Sequence, residues 1–107
     1  MELPAKRREP QPLEIEEIQK IKEILSPEWS IEANRKIKRQ FTFPNFKEAL
    51  AFVVNVGQIA EELHHHPDIG LTWGKVEIAS TTHSINFLSK KDFELAERID
   101  AAFATFF

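Results

Sequence analysis

Cysteine is absent from the 107 residues, which excludes disulfides and any thiolate nucleophile or metal ligand and leaves the redox compartment undetermined. Glycine occurs only 3 times, and no glycine-rich loop of the kind that cradles phosphate is present. No segment is long and apolar enough to span a membrane, and the N-terminus lacks the apolar run of a signal peptide, so the cytoplasm is the expected compartment. A formal net charge of -3 offers no basic surface for nucleic acid. The length and a 42 % apolar fraction suit one soluble domain with a modest core.

What the chain does have is histidine, gathered. Three of its 4 histidines fall in the run Glu61-Glu62-Leu63-His64-His65-His66-Pro67, and the fourth is His83. Imidazole is the only side chain whose unperturbed pKa lies near physiological pH, so such a cluster offers proton transfer or metal binding. Upstream, apolar residues at Phe46, Leu50, Val53, Gly57, Ala60 and Leu63 recur at helical spacing. Asn45 and Glu48 form a capping box at the start, and Pro67 ends the helix near His65 and leaves His66 extended. Glu61 then stands one turn above His65, and Glu62 one turn above His66. His64 points away from both of its neighbours and reads as a cap or an exposed residue. Phe52, Val56 and Ile59 widen the apolar surface beyond a narrow stripe, which predicts burial against a sheet on one side and a neighbouring subunit on the other.

The rest of the chain is organised around that helix. Residues 1 to 12 carry Pro4, Pro10, Pro12 and the basic triplet Lys6-Arg7-Arg8, with little to bury, and read as a flexible tail. Leu13 to Leu25 predicts a surface helix with Ile18, Ile21 and Leu25 as its stripe, stopped by Ser26-Pro27. Trp29 to Glu32, a turn at Ala33-Asn34 and Arg35 to Phe43 predict a hairpin whose second strand turns Ile37, Arg39, Phe41 and Phe43 to one face. After a loop at Asp68-Ile69-Gly70, a second pair of strands is expected at Trp73 to Ala79 and Thr81 to Leu88. Alternation in the latter puts His83 on the inward face with Ile85 and Phe87. Ser89 caps a last helix with Phe93, Ala96, Ile99, Phe103 and Phe106 on its apolar face, and Asp92 stands at the third helical position of a capping box. The order is α-β-β-α-β-β-α. It predicts an α+β two-layer sandwich over residues 13 to 107, a four-stranded antiparallel sheet with three helices on one face.

Several chemistries are disfavoured. Adjacent histidines rarely share one ion, and the helical zinc pattern needs histidines at i and i+4, which this run lacks; no metal is expected. Ser80, Thr81 and Thr82 lack a nucleophile-elbow context. Proton transfer by imidazoles oriented by carboxylates, on a small bound substrate, is what remains.

The series Glu61, His65-His66-Pro67, Trp73, His83, Asp92, at its particular spacing, resembles that of the pterin-4a-carbinolamine dehydratases, also known as dimerization cofactors of a homeodomain transcription factor. Phe43, Phe46, Ala49 and Phe52 resemble the aromatic entry to that family's central helix, and Trp29 holds a similar place near the first strand. The likeness runs from about residue 13 to 107. It implies the same α+β sandwich and dehydration of 4a-hydroxytetrahydropterin to quinonoid dihydropterin, without metal or organic cofactor, in pterin recycling. It further implies that His65, His66 and His83 line the pterin pocket, with His65 and His83 sharing acid and base duties and His66 contacting the ligand. Glu61 and Asp92 would orient imidazoles or hydrogen-bond the pterin, and Trp73 would wall the pocket. A homodimer or homotetramer is expected, given the apolar surface of the central helix. The competing reading is a non-catalytic interaction module that binds a partner helix through Phe46 to Leu63.

Overall fold

The computed structural model describes residues 10–106, so most of the expected tail, residues 1–9, lies outside it. Helix α1 spans Ile15–Ile24, strands β1 and β2 span Ser30–Glu32 and Lys36–Thr42, helix α2 spans Phe46–Leu63, strands β3 and β4 span Asp68–Thr72 and Lys75–Ser80, and helix α3 spans Lys90–Phe106. The four strands form one antiparallel sheet in the order β1-β2-β4-β3. The predicted class and element order both hold.

Local chemistry explains most boundaries. Glu14 and Glu17 form a capping box that starts α1, and Leu25, already extended, ends it. Ala33 and Asn34 both take the left-handed conformation (φ 52° and 56°) at the centre of the turn that the Arg35 N–H closes on Glu32 O at 2.9 Å. Asn45 accepts the Glu48 N–H at 2.9 Å and opens α2. In β2, Ile37, Phe41 and the following Phe43 are buried, while Lys38, Gln40 and Thr42 on the other face are more exposed. Arg39 shares the inward face because its charge is met there: Nη1 donates to Asp100 at 2.7 Å, and the guanidinium lies 4.3 Å from the Phe41 ring centroid.

One core unites the sheet and helices. It contains Ile37, Phe41, Val76 and Ile78 from the strands, Phe52, Val56 and Ile59 from α2, and Phe93, Leu95, Ala96 and Ile99 from α3, with Ile18 and Leu25 of the first helical region joining them. Phe41, Phe43, Phe52 and Phe103 meet as a cluster of tilted and edge-on rings, each packing against the others' faces or edges. Phe106 lies outside the described side chains.

Three expectations are corrected. The buried face of α2 is Ala49, Phe52, Val56, Ile59 and Ala60, whereas Phe46 and Leu50, placed on that face by their spacing, are each 44 % exposed. Asp68-Ile69-Gly70 is the start of β3, not a loop, and Trp73 sits in the turn after that strand. Thr81 to Leu88 forms no strand. Its backbone turns on itself through Ile85 N–H to Thr82 O (3.1 Å) and Asn86 N–H to His83 O (3.2 Å), with a single bridge between Thr82 and Phe87. The facing is consequently reversed: Thr82 is buried and His83 is exposed.

Candidate active site

Two of the expected site carboxylates and two of the histidines meet at one end of the sheet. Helix α2 ends there, β3 begins there and β4 finishes there. His64 takes a left-handed conformation (φ 53°, ψ 42°), and the His65 N–H reaches back to Ala60 O at 3.0 Å while the His64 N–H reaches Glu61 O. This pair of bonds is the Schellman ending of a helix, and it stops α2 earlier than Pro67 alone requires. The chain then leaves the helix axis, which separates the directions of the three consecutive imidazoles. Lys91 Nζ donates to Leu63 O at 3.1 Å and ties the start of α3 to the end of α2.

His65 is turned inward. Its side chain is 11 % exposed, and Nε2 lies 2.7 Å from Oδ1 of Asp92, which is fully buried. Asp92 also accepts from Ser80 Oγ (2.6 Å), from Thr82 Oγ1 (2.7 Å) and from the Ser89 backbone N–H (3.0 Å). The last bond is the capping-box contact that the sequence assigns to Asp92, so one carboxylate starts a helix and orients a histidine. Burial by itself pushes the Asp92 carboxyl up, yet the hydrogen bonds from His65, Ser80, Thr82 and Ser89 prevail and hold it below the ordinary carboxylate value.

His66 faces outward. Its Nε2 lies 2.5 Å from Glu61 Oε2, with the two side chains 62 % and 77 % exposed. Helical spacing pairs Glu61 with His65; the left-handed turn at His64 gives it to His66 instead. His83 directly follows Thr82, whose hydroxyl shares Asp92 with His65, so the two imidazoles project from backbone joined through a single carboxylate. His83 lines a concavity of about 370 Å³ with Glu32, Arg35, Lys36, Asp68 and Thr81. A larger concavity of about 740 Å³, lined by Leu13, Ile15, Ile85 and Phe87, has among the described residues no histidine and only Glu14 and Glu16 as titratable groups. The side chains suited to proton transfer therefore gather at the histidine end. Trp73 is elsewhere: five residues of strand separate it from Asp68, roughly 16 Å at the usual rise, and its side chain is 68 % exposed beside Thr42, Phe43 and Lys75. Among the described residues, no three His, Asp or Glu side chains are grouped as a metal ion would need.

The sequence profile of the family described as pterin 4 alpha carbinolamine dehydratase matches residues 11–102. The chain belongs to that family. Relatives with the name "Putative pterin-4-alpha-carbinolamine dehydratase" include one from Alkaliphilus metalliredigens, 44 % identical over 89 residues that cover 83 % of this chain and 80 % of the relative. Another, from Chloroflexus aggregans, is 49 % identical over 74 residues, 69 % of this chain and 79 % of the relative. Among solved structures, a transcriptional coactivator/pterin dehydratase from Brucella melitensis superposes with a TM-score of 0.78 at 28 % identity, covering 85 % of this chain and 97 % of its own. A pterin dehydratase-like RuBisCO assembly factor of the alpha-carboxysome shares the fold at a TM-score of 0.59 and 21 % identity, over 68 % of this chain and 86 % of its own.

Within this pterin carbinolamine dehydratase fold, sequence reasoning missed Ser80 and Thr82, the hydroxyl donors that join the Ser89 amide around Asp92. Strand alternation with His83 inward would turn Thr82 to the outer face, and only the turn in residues 82–87 brings it in. For Ser80 a signal existed: a polar residue on the inward side of an otherwise apolar strand, following Val76 and Ile78 at period two.

Proposed function

We propose that this protein dehydrates 4a-hydroxytetrahydropterin, a pterin-4a-carbinolamine, to quinonoid dihydropterin and water, in pterin recycling. In that reaction the bond between C4a and its hydroxyl oxygen breaks, the departing oxygen takes up a proton, and the neighbouring ring nitrogen gives one up as a C4a–N double bond forms. The chemistry needs one acid and one base at opposite edges of a flat ring and no redox partner. His65 and His83 take these duties. His66, steadied by Glu61, contacts the ligand from the exposed side of the same loop.

The observation that carries the reading is the buried Asp92 carboxylate holding His65 Nε2 at 2.7 Å beside the chain segment that presents His83. Such a pairing fixes the orientation of an imidazole without covering its second nitrogen. Trp73 is omitted from the pocket, and Asp92 acts through His65.

The test is an assay of purified protein with synthetic 4a-hydroxytetrahydropterin. Turnover well above the uncatalysed rate is expected, and His65→Ala and His83→Ala should each lower kcat by roughly 10- to 10⁴-fold, the range for one general acid or base. Their double variant should lose less than the product of the two effects, since groups acting as a unit are non-additive. Absence of turnover in folded protein would overturn the proposal and favour an interaction module. The same proposal includes self-association through Phe46, Leu50 and Val54, which recur every fourth residue on α2 and are 44 %, 44 % and 54 % exposed. Sedimentation should show a dimer or tetramer at micromolar concentration, and Leu50→Glu should dissociate it.

A further inference from the structure

Asp92 is held by more donors than orienting one imidazole requires. Oδ1 accepts from Ser80 Oγ and faces His65 Nε2; Oδ2 accepts from Thr82 Oγ1 and the Ser89 N–H. An ionised carboxylate offers about four lone-pair sites, and these four contacts take them all. The protons can be assigned from there. Thr82 spends its only hydroxyl proton on Asp92, so in the 2.7 Å contact between Thr82 Oγ1 and Ser89 Oγ the serine is the donor. Ser89 Oγ in turn accepts the Lys91 N–H at 3.3 Å. The result is a one-way chain from Lys91 N–H through Ser89 and Thr82 to Asp92, joined there by Ser80. Bonds aligned head to tail polarise one another in a buried setting.

With its acceptor sites occupied, Asp92 has no place for a proton, and the hydrogen in the 2.7 Å contact with His65 must sit on Nε2. His65 Nδ1 is then the nitrogen left to exchange a proton with a substrate. Ser80 and Thr82 are 1 % and 4 % exposed and act behind Asp92. We propose that Ser80 and Thr82 are positioning residues which hold Asp92 as the acceptor of the His65 Nε2–H and so make Nδ1 the working nitrogen. This rests on the dehydratase reading for its consequence in turnover, but the arrangement itself can be tested without substrate. The titratable group that contacts Asp92 among the described residues is His65; Lys91, one residue before it on α3, directs its amine to Leu63 O, and Glu61 and His66 pair at the surface.

Removing a donor weakens the charged form of Asp92, so its carboxyl should take up a proton at a higher pH. Once protonated, Asp92 no longer accepts the Nε2–H, and the tautomer that leaves the Nδ1 lone pair free is no longer held. Two measurements on Ser80→Ala, Thr82→Val and Thr82→Ser decide the matter, with thermal melts to confirm folding. The first is a carbon-13 titration of the Asp92 carboxyl in substrate-free protein, where the midpoint should rise in Ser80→Ala and Thr82→Val and stay near wild type in Thr82→Ser, which keeps the hydroxyl. The second is the pH profile of kcat/KM. Its acid limb should move upward in step, with activity on that limb falling roughly 10-fold in each of the first two variants and the plateau changing less than about 3-fold. An Asp92 midpoint that moves in neither variant overturns the proposal, as does one that moves while the acid limb stays. If one variant fails to fold, the other carries both measurements. If the wild type shows no dehydratase turnover, the functional reading fails separately, and the substrate-free titration alone decides whether the two hydroxyls control Asp92.

Discussion

Helix α3 carries two aspartates that contact the sheet side of the fold, Asp92 in its first turn and Asp100 two turns further on, and they end in opposite electrostatic states. Burial pushes both carboxyls upward. At Asp92, four hydrogen bonds reverse the effect and the carboxyl lies below its ordinary value. At Asp100, the Trp29 indole N–H and the Arg39 guanidinium offset burial only in part, and the carboxyl lies above it. The difference lies in the number of hydrogen bonds and in how completely they enclose the group. Arg39 moreover divides its attention: it lies over Phe41 and Phe103, and its buried Nε finds no acceptor among the described residues. Asp92 is arranged to stay ionised beside a histidine, whereas Asp100 ties Trp29, just before β1, and Arg39 of β2 to α3.

The largest expected effect follows from removing each carboxylate. Asp92→Ala should lower kcat/KM by 10²-fold or more and cost about 3 kcal/mol, because Ser80, Thr82 and the Ser89 N–H lose a buried acceptor. Asp100→Ala should cost about 2 kcal/mol through Trp29 and Arg39 while leaving kcat within about 3-fold. Chemical denaturation and steady-state kinetics on both variants separate the two roles; a catalytic collapse in Asp100→Ala would break the comparison.

A smaller effect, and a sharper one, is the sign of the pH dependence. The folded value of Asp92 is depressed, so its contribution to stability is present above the unfolded carboxylate value of about 3.9 and is lost as pH falls through the folded value. Asp100 has the opposite sign: its contribution is full below the unfolded value and is lost as pH rises through its raised folded value. Compared with wild type, melts between about pH 3 and 7 should show a shallower acid loss for Asp92→Asn and a steeper one for Asp100→Asn. The same slope in both variants would show that the two sites do not differ as described. The least effect is expected at the surface. Glu61→Gln weakens an exposed pair with His66 and should change stability by no more than about 0.5 kcal/mol, with any kinetic consequence appearing in KM. A change of several kcal/mol would mean that the loop after α2 depends on that pair.

Much of the site could be read along the chain because its parts are local. The Asn45 cap, the Ser89 and Asp92 capping box and the histidine run before Pro67 all depend on residues a few positions apart. The interior of β2 was equally legible, since a seven-residue strand with one wet face states its alternation plainly. Thr81 to Leu88 shows the limit. Its residues alternate as a strand would, but alternation reports only which side chains can share a face and says nothing about whether a neighbouring strand exists to pair with it. Asp68-Ile69-Gly70, with a charged residue and a glycine, reads as a loop, yet it opens the strand Asp68–Thr72 because β4 offers that segment a complete register.

The amino-acid sequence by itself determined the order of elements and the caps of the two long helices, which follow from short-range spacing and hydrophobic period, and its site series carried the resemblance to the family. Only the tertiary structure decided which histidine is buried, which acid each imidazole meets, that Trp73 lies at the far end of β3, and that Ser80 and Thr82 close around Asp92. Those contacts join residues 10, 12 and 27 positions apart. Separations of that size are set by how strands register and how helix ends turn, and with the left-handed bend at His64 the Glu61 carboxylate meets His66 while His65 turns to Asp92.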